Sequence, residues 1–155
     1  MKYLISACLA NQPVRYDGKA YKYEKLLQWI ENQKVILACP ETLGGLATPR
    51  APAEIVGGTA IDVLSGHACV MDNLHNNVSQ AFIDGAYKTL ALAQSHHIDI
   101  IVLKENSPSC GSHFIYDGSF SGKKIAALGI TTALLQQHGF QVMSETEFFE
   151  HIALS

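Results

Sequence analysis

Three short apolar runs set the architecture: KYLISACL at 2–9, KVILACP at 34–40 and IDIIVLK at 98–104. Each is too short for an ordinary helix, rich in Ile, Val and Leu, and bounded by polar or turn-forming residues. That is the pattern of strands buried on both faces. FQVMS at 140–144 supplies a fourth. Between the runs, apolar residues recur at helical spacing. Tyr23, Leu26, Leu27 and Ile30 share one side over 22–33, and Val78, Phe82, Gly85 with Ala86, Leu90 and Ala93 do so over 77–96. A further amphipathic helix is predicted over 124–138, stopped by Gly139, and a short one over 145–154. Residues 41–58 are rich in Gly and Pro and read as irregular, while Ile61–Met71 reads as a small hairpin around Ser65-Gly66. The alternation predicts an α/β chain: a single domain over 1–155 with a doubly wound parallel sheet of about four strands, flanking helices and a small hairpin insert. Right-handed crossovers put every strand's C-terminal end on one edge, where such folds bind ligands.

Composition narrows the function classes. The 155 residues suit one domain with a real core. No apolar run approaches the 18 or more residues of a membrane span. Eleven basic residues against fourteen acidic ones are scattered and leave a net charge of −3, which excludes a nucleic-acid polymer as the expected partner. Ile5-Ser6-Ala7-Cys8 resembles a lipid-attachment box, but only Tyr3 to Ala7 separate Lys2 from Cys8, short of the roughly 7–15 apolar residues an export signal needs. The expected compartment is the cytoplasm, where thiols stay reduced. The four cysteines then read as ligands, nucleophiles or core residues rather than disulfides.

Their positions are informative. Cys8 lies at the end of the first strand run, Cys39 at the end of the second, and Cys110 shortly beyond the third, in the serine- and glycine-rich stretch SPSCGS. Three thiols distant in sequence are thus expected on the ligand-binding edge. Cys69, in HACVM, has apolar neighbours and reads as a small core hydrophobe. Soft thiolates select zinc, copper(I) or an iron-sulfur cluster. A zinc site would need a fourth ligand, and His113 is the histidine nearest Cys110, but there is no C-x-x-C pair. Three cysteines from three separate loops suit a cubane cluster with one iron open to a ligand.

The motifs CLANQPVRYDGK, CPETLGGLATPRAPAEIVGG, FIDGAYKTLALA, LKENSPSCGSHFIYDGSFSG and GITTALLQQHGFQVMSE resemble, in order and spacing and over nearly the whole chain, the bacterial 2-thiouracil desulfurase family. The resemblance implies a Rossmann-like domain carrying an oxygen-sensitive 4Fe-4S cluster on Cys8, Cys39 and Cys110. It also implies a small-molecule substrate, a thiolated base or nucleoside, whose thiocarbonyl sulfur meets the open iron and leaves as sulfide without net redox change.

Water needs a base in such a reaction. Glu41, two residues after Cys39, is the expected one, as a partly desolvated carboxylate beside the cluster. Ser107 is expected to orient the water or donate to the substrate, with Ser109 as a weaker candidate; both also suit plain turn chemistry. Arg50 and Lys104 are candidates to hold a substrate carbonyl or phosphate, and Asp17 and Asp117 read as turn residues. Two other classes fit the same thiols: a non-catalytic cluster or metal-binding module, and a sulfurtransferase using a persulfide on Cys110.

Overall fold

The computed structural model describes residues 1–10, 16–17 and 24–153. Strand β1 (Lys2–Ser6) runs into a 3-10 turn (Ala7–Ala10); α1 (Glu24–Glu31), β2 (Lys34–Ala38) and the one-turn α2 (Pro40–Leu43) follow. An insert of β3 (Ala53–Val56), α3 (Ala60–Leu64) and β4 (Cys69–Asp72) leads to the long α4 (Ser79–Ser95) and β5 (Ile100–Leu103). Strands β6 (Phe114–Tyr116) and β7 (Lys124–Ala126), helix α5 (Ile130–Gln137), β8 (Gln141–Ser144) and α6 (Glu145–Ala153) complete the described chain.

The main sheet is parallel, in the order β2-β1-β5-β8, with Ile5 opposite Leu37 on one side and Val102 on the other. The chain leaves β1 for one neighbour and later returns to β1's other side. The gap beyond the ends of β1 and β5 is therefore the switch point of the sheet. Alternate residues feed two cores. Leu4, Ile101 and Leu103 join Phe82, Ala86 and Leu90 of α4 and Ala133 and Leu134 of α5. Tyr3, Ile5, Ile100 and Val102 face Leu26 of α1 and Phe148 of α6. In this second core Phe148 meets Tyr3 and Trp29 edge-on, with centroids 5.8 and 5.1 Å apart, contacts worth about 0.5–1.5 kcal/mol each beyond area burial.

Several elements differ from the sequence expectation. In the first helix Leu26 is fully buried with Trp29 and Ile30 beside it; Tyr23 lies outside the described residues, as does Leu154 at the end of the last helix. The expected hairpin over Ile61–Met71 has its strands elsewhere: β3 pairs antiparallel with β4, Ile55 opposite Val70, and α3 occupies the connection. A capping box starts α3, with the Thr59 hydroxyl accepting from Asp62 N–H and the Asp62 carboxylate accepting from Thr59 N–H. The stretch 41–58 contains α2 and β3 rather than irregular chain throughout. Lys124–Ala126 is a strand paired with β6, so α5 begins only at Ile130, after Gly129.

Two glycines set how α2 meets the rest. A Cβ on Gly44 would lie 1.9 Å from the Ala81 carbonyl oxygen, and one on Gly85 would lie 1.9 Å from that of Pro40. Helices α2 and α4 touch main chain to main chain, which only glycine permits.

Candidate active site

Beyond the switch point lies a cavity of about 610 Å³, and Cys8, Cys39 and Cys110 all line it. Each arrives by a different device. Cys8 sits in the 3-10 turn just after β1, buried, its sulfur 3.4 Å from the Ser6 hydroxyl. Cys39 is the N-cap of α2, with Pro40 in the first helical position, where its fixed φ suits a helix start and its missing N–H costs nothing. Cys110 lies in the loop after β5 and is 4% exposed. Burial pushes its thiol well above the ordinary range, the charges of Glu41, Cys39 and Cys8 add to that, and the Ser109 hydroxyl opposes it. Cys69 starts β4, half-buried outside this cavity, where the Asn77 amide donates to its sulfur at 3.5 Å.

The Cys110 loop is built around Glu105. Its Oε1 accepts the N–H groups of Ser112 (2.9 Å), His113 (3.1 Å), Phe114 (3.1 Å) and Asn106 (3.3 Å), and its Oε2 accepts from the Ser112 hydroxyl (2.9 Å). Burial works against ionisation of this carboxyl, but the donated hydrogen bonds outweigh it and hold the group below the ordinary carboxylate range. From the other side the start of α5 grips the loop: Ile130 N–H donates to Pro108, Thr131 N–H to Ser109 and Gly129 N–H to Gly111, each at 2.8 Å. The Thr132 hydroxyl donates to the Cys110 carbonyl at 3.0 Å. A Cβ on Gly129 would stand 2.5 Å from the Ser109 carbonyl carbon.

Glu41 and Ser107 both line the cavity, and the Ser107 hydroxyl donates to Glu41 Oε1 at 2.8 Å, so its proton goes to the glutamate rather than to water or substrate. The same hydroxyl oxygen accepts the N–H groups of Ser109 (3.0 Å) and Cys110 (3.2 Å). Its one donor and two acceptor positions are therefore all in use, and Ser107 ties the base candidate to the cysteine loop. Arg50 sits on Glu41 Oε2 through Nε (3.1 Å) and Nη2, and its Nη1 reaches the Ala47 carbonyl and the Thr48 hydroxyl. Arg50 thus holds Glu41 while itself lining the cavity. Lys104 pairs with Glu145 at 2.9 Å. Ser109 departs from its expected place: it is 1% exposed, absent from the cavity lining, and shares a 2.7 Å hydrogen bond with Thr131. It stands behind the thiol, not in front of it. His113 pairs with Glu147 at 2.6 Å, and among the described residues no three His, Cys, Asp or Glu side chains are placed to hold a single metal ion. The zinc arrangement completed by His113 is therefore not formed.

Residues 3–147 match the 2-thiouracil desulfurase family. The chain belongs to that family. It is 49% identical over 144 residues to the uncharacterized protein YbbK of Bacillus subtilis (strain 168), covering 93% of this chain and 95% of that one. A solved structure described as the 4Fe-4S-dependent thiouracil desulfidase TudS superposes with a TM-score of 0.85 at 41% identity, over 99% of this chain and 97% of that one. The α/β fold expected for a 2-thiouracil desulfurase family member is thus present. Among the described residues no helix is long and apolar enough to cross a membrane.

Ser6 and Glu105 were not legible as site residues of a desulfurase family member. Ser6 lies inside an apolar strand run, and Glu105 looks like a solvated charge after a strand. Only the fold shows that one touches a cysteine sulfur and the other gathers a loop.

Proposed function

We propose that the chain desulfurates a small thiolated base or nucleoside, 2-thiouracil or a compound like it, at a 4Fe-4S cluster held by Cys8, Cys39 and Cys110. The observation that carries this reading is the donor set: three thiols from three chain segments line one cavity beside a glutamate fixed by an arginine and a serine. Cys8, Cys39 and Cys110 would hold such a cluster, thiolates being the usual ligands of iron-sulfur centres. The likeness to TudS over almost the whole chain supports the same cofactor. Ser6 at the Cys8 sulfur and Ser109 behind Cys110 would tune it by hydrogen bonding.

When bound, such a cluster supplies a soft Lewis acid that polarises a thiocarbonyl group. The chain's own contribution is proton handling and placement. A carboxylate offers about four acceptor positions; Arg50 and Ser107 use three on Glu41, leaving one for the attacking water. As the new C–O bond forms, Glu41 takes one water proton; when the C–S bond breaks and the carbonyl forms, the hydroxyl's remaining proton leaves with the sulfur as hydrosulfide, and no electron is exchanged. Ser107 positions the base and keeps it in register with the cysteine loop. The persulfide alternative fares worse, because Cys110 is 4% exposed and shares its cavity with two further thiols that a single-nucleophile chemistry does not need.

Anaerobic reconstitution with iron and sulfide, followed by incubation with 2-thiouracil, tests the reading. The expected result is about four irons per chain and one uracil per sulfide released. Failure to hold a cluster would sink the cofactor assignment, and a loaded protein that makes no uracil would sink the substrate. Glu41→Gln should keep its iron and lose about 10²–10⁴ in kcat.

A further inference from the structure

Glu54 lies on β3, outside the segments that carry the three cysteines, yet it lines the same cavity and is only 9% exposed. Its Oε1 accepts the N–H groups of Gly118 (2.9 Å) and Phe120 (3.3 Å), which belong to the tip of the β6–β7 hairpin. The tip is an unusual piece of backbone: Gly118, Phe120 and Gly122 all have positive φ, at 92°, 57° and 80°. For phenylalanine that conformation costs of order 1–3 kcal/mol and persists only where the surroundings impose it. Glu54 is one of the groups that hold the tip in it, and Phe120, 40% exposed, lines the cavity with Tyr16 and Tyr116. Glu54 Oε2 has no hydrogen-bond partner among the described residues, while no fully buried side-chain oxygen or nitrogen among them lacks one. Oε2 is thus the part of this cavity-lining side chain still able to accept a hydrogen bond.

We infer that Glu54 is a specificity residue: its open Oε2 accepts a ring N–H of the substrate while Phe120, placed by Oε1, covers the ring. The inference rests on the desulfuration reading above and narrows its substrate class to planar cyclic thioamides with a free ring N–H. A carboxylate is an acceptor only, so a ring nitrogen without hydrogen, or one carrying a methyl group, leaves Oε2 facing it unpaired. Discrimination is strong where a buried polar group loses its partner. The aromatic surfaces accept any flat ring and add affinity without that selectivity.

The test uses reconstituted holoenzyme with 2-thiouracil, 1-methyl-2-thiouracil and 3-methyl-2-thiouracil. With the wild-type chain, one of the two methyl compounds should show a KM raised about tenfold or more, with iron content unaffected. Glu54→Gln preserves an oxygen for the two loop N–H groups; its KM for 2-thiouracil should rise about tenfold with the loss carried mainly by KM, and the methyl penalty should shrink to within about threefold. Equal KM values for all three compounds in the wild type would overturn the inference without recourse to any variant. An undiminished methyl penalty in a fully loaded Glu54→Gln protein would also overturn it. Either result is distinct from failure of the desulfuration reading, in which wild-type holoenzyme produces no uracil at all.

Discussion

The loop that carries Cys110 and the loop at the tip of the β6–β7 hairpin both hang on a glutamate, but to different degrees. Glu105 takes four backbone N–H groups and a hydroxyl, and the opposite side of its loop is bound by the first turn of α5. Glu54 takes two N–H groups with one oxygen and leaves the other open. The first loop has main-chain partners on both sides and is suited to hold a ligand set in fixed geometry. The second is held from one side, by Glu54 and by the close approach of Gly118 to the Ile55 carbonyl, and otherwise by turn bonds of its own such as Asp117 N–H to Lys123 and Ser119 N–H to Asp117. The difference separates a loop bound from two sides from a loop bound mainly from the side of β3.

The comparison can be broken by substitution. The largest effect is expected from Glu105→Ala, which strands several donors at once: stability in urea should fall by about 2–4 kcal/mol and iron loading should fall with it. Next comes Gly129→Ala, whose new methyl meets the Ser109–Cys110 backbone; a loss of about 1–3 kcal/mol is expected, again with poorer loading. At the hairpin tip, Gly118→Ala must place a Cβ 2.5 Å from the Ile55 carbonyl oxygen as well as keep a positive φ, whereas Gly122→Ala meets only the φ penalty. The first should cost about 1–3 kcal/mol and the second about 1, both with normal iron content. If either tip variant lost its iron, the two loops would not be separable.

Acidification sharpens the same contrast. The folded-state pKa of Glu105 lies below its unfolded value of about 4.3, so the stability it contributes is whole above that pH and is lost as pH falls through the lowered value. Urea midpoints of apoprotein, wild type against Glu105→Gln, should differ most near neutrality and converge on acidification. A gap independent of pH would mean that Glu105 holds the loop by shape alone. The smallest effect is expected from Cys69→Ser, which lies outside the cavity and should leave iron content and turnover unchanged.

Much of this arrangement was legible in the chain. The strand runs end at Cys8 and Cys39, and parallel topology alone requires those ends to share an edge; Cys110 follows because its loop leaves the neighbouring strand. The insert was harder to read. Thr59 followed by Asp62 is a helix-start signal, but the apolar residues flanking Ser65-Gly66 suggested strands instead, and short strands such as FIY and KIA carry too few residues to show a period. Glu105 and Glu54 were invisible for a different reason. Their partners are backbone N–H groups, which every residue but proline has, so no side-chain pattern marks them. Ser109, the weaker of the two serine candidates, faces Thr131 rather than the cavity, which a turn sequence does not reveal.

The contact of Gly44 with Gly85 bears on how the base is aimed. Glu41 stands on a single turn of helix, too short to be stiff by itself. Because the Pro40 carbonyl rests against the main chain of a helix 17 residues long, the turn borrows that helix's rigidity through atoms that have no rotamers to change. Side-chain repacking elsewhere can soften or tighten the cores, but it has little leverage over where the main chain of this turn sits, and Arg50 and Ser107 then aim the carboxylate.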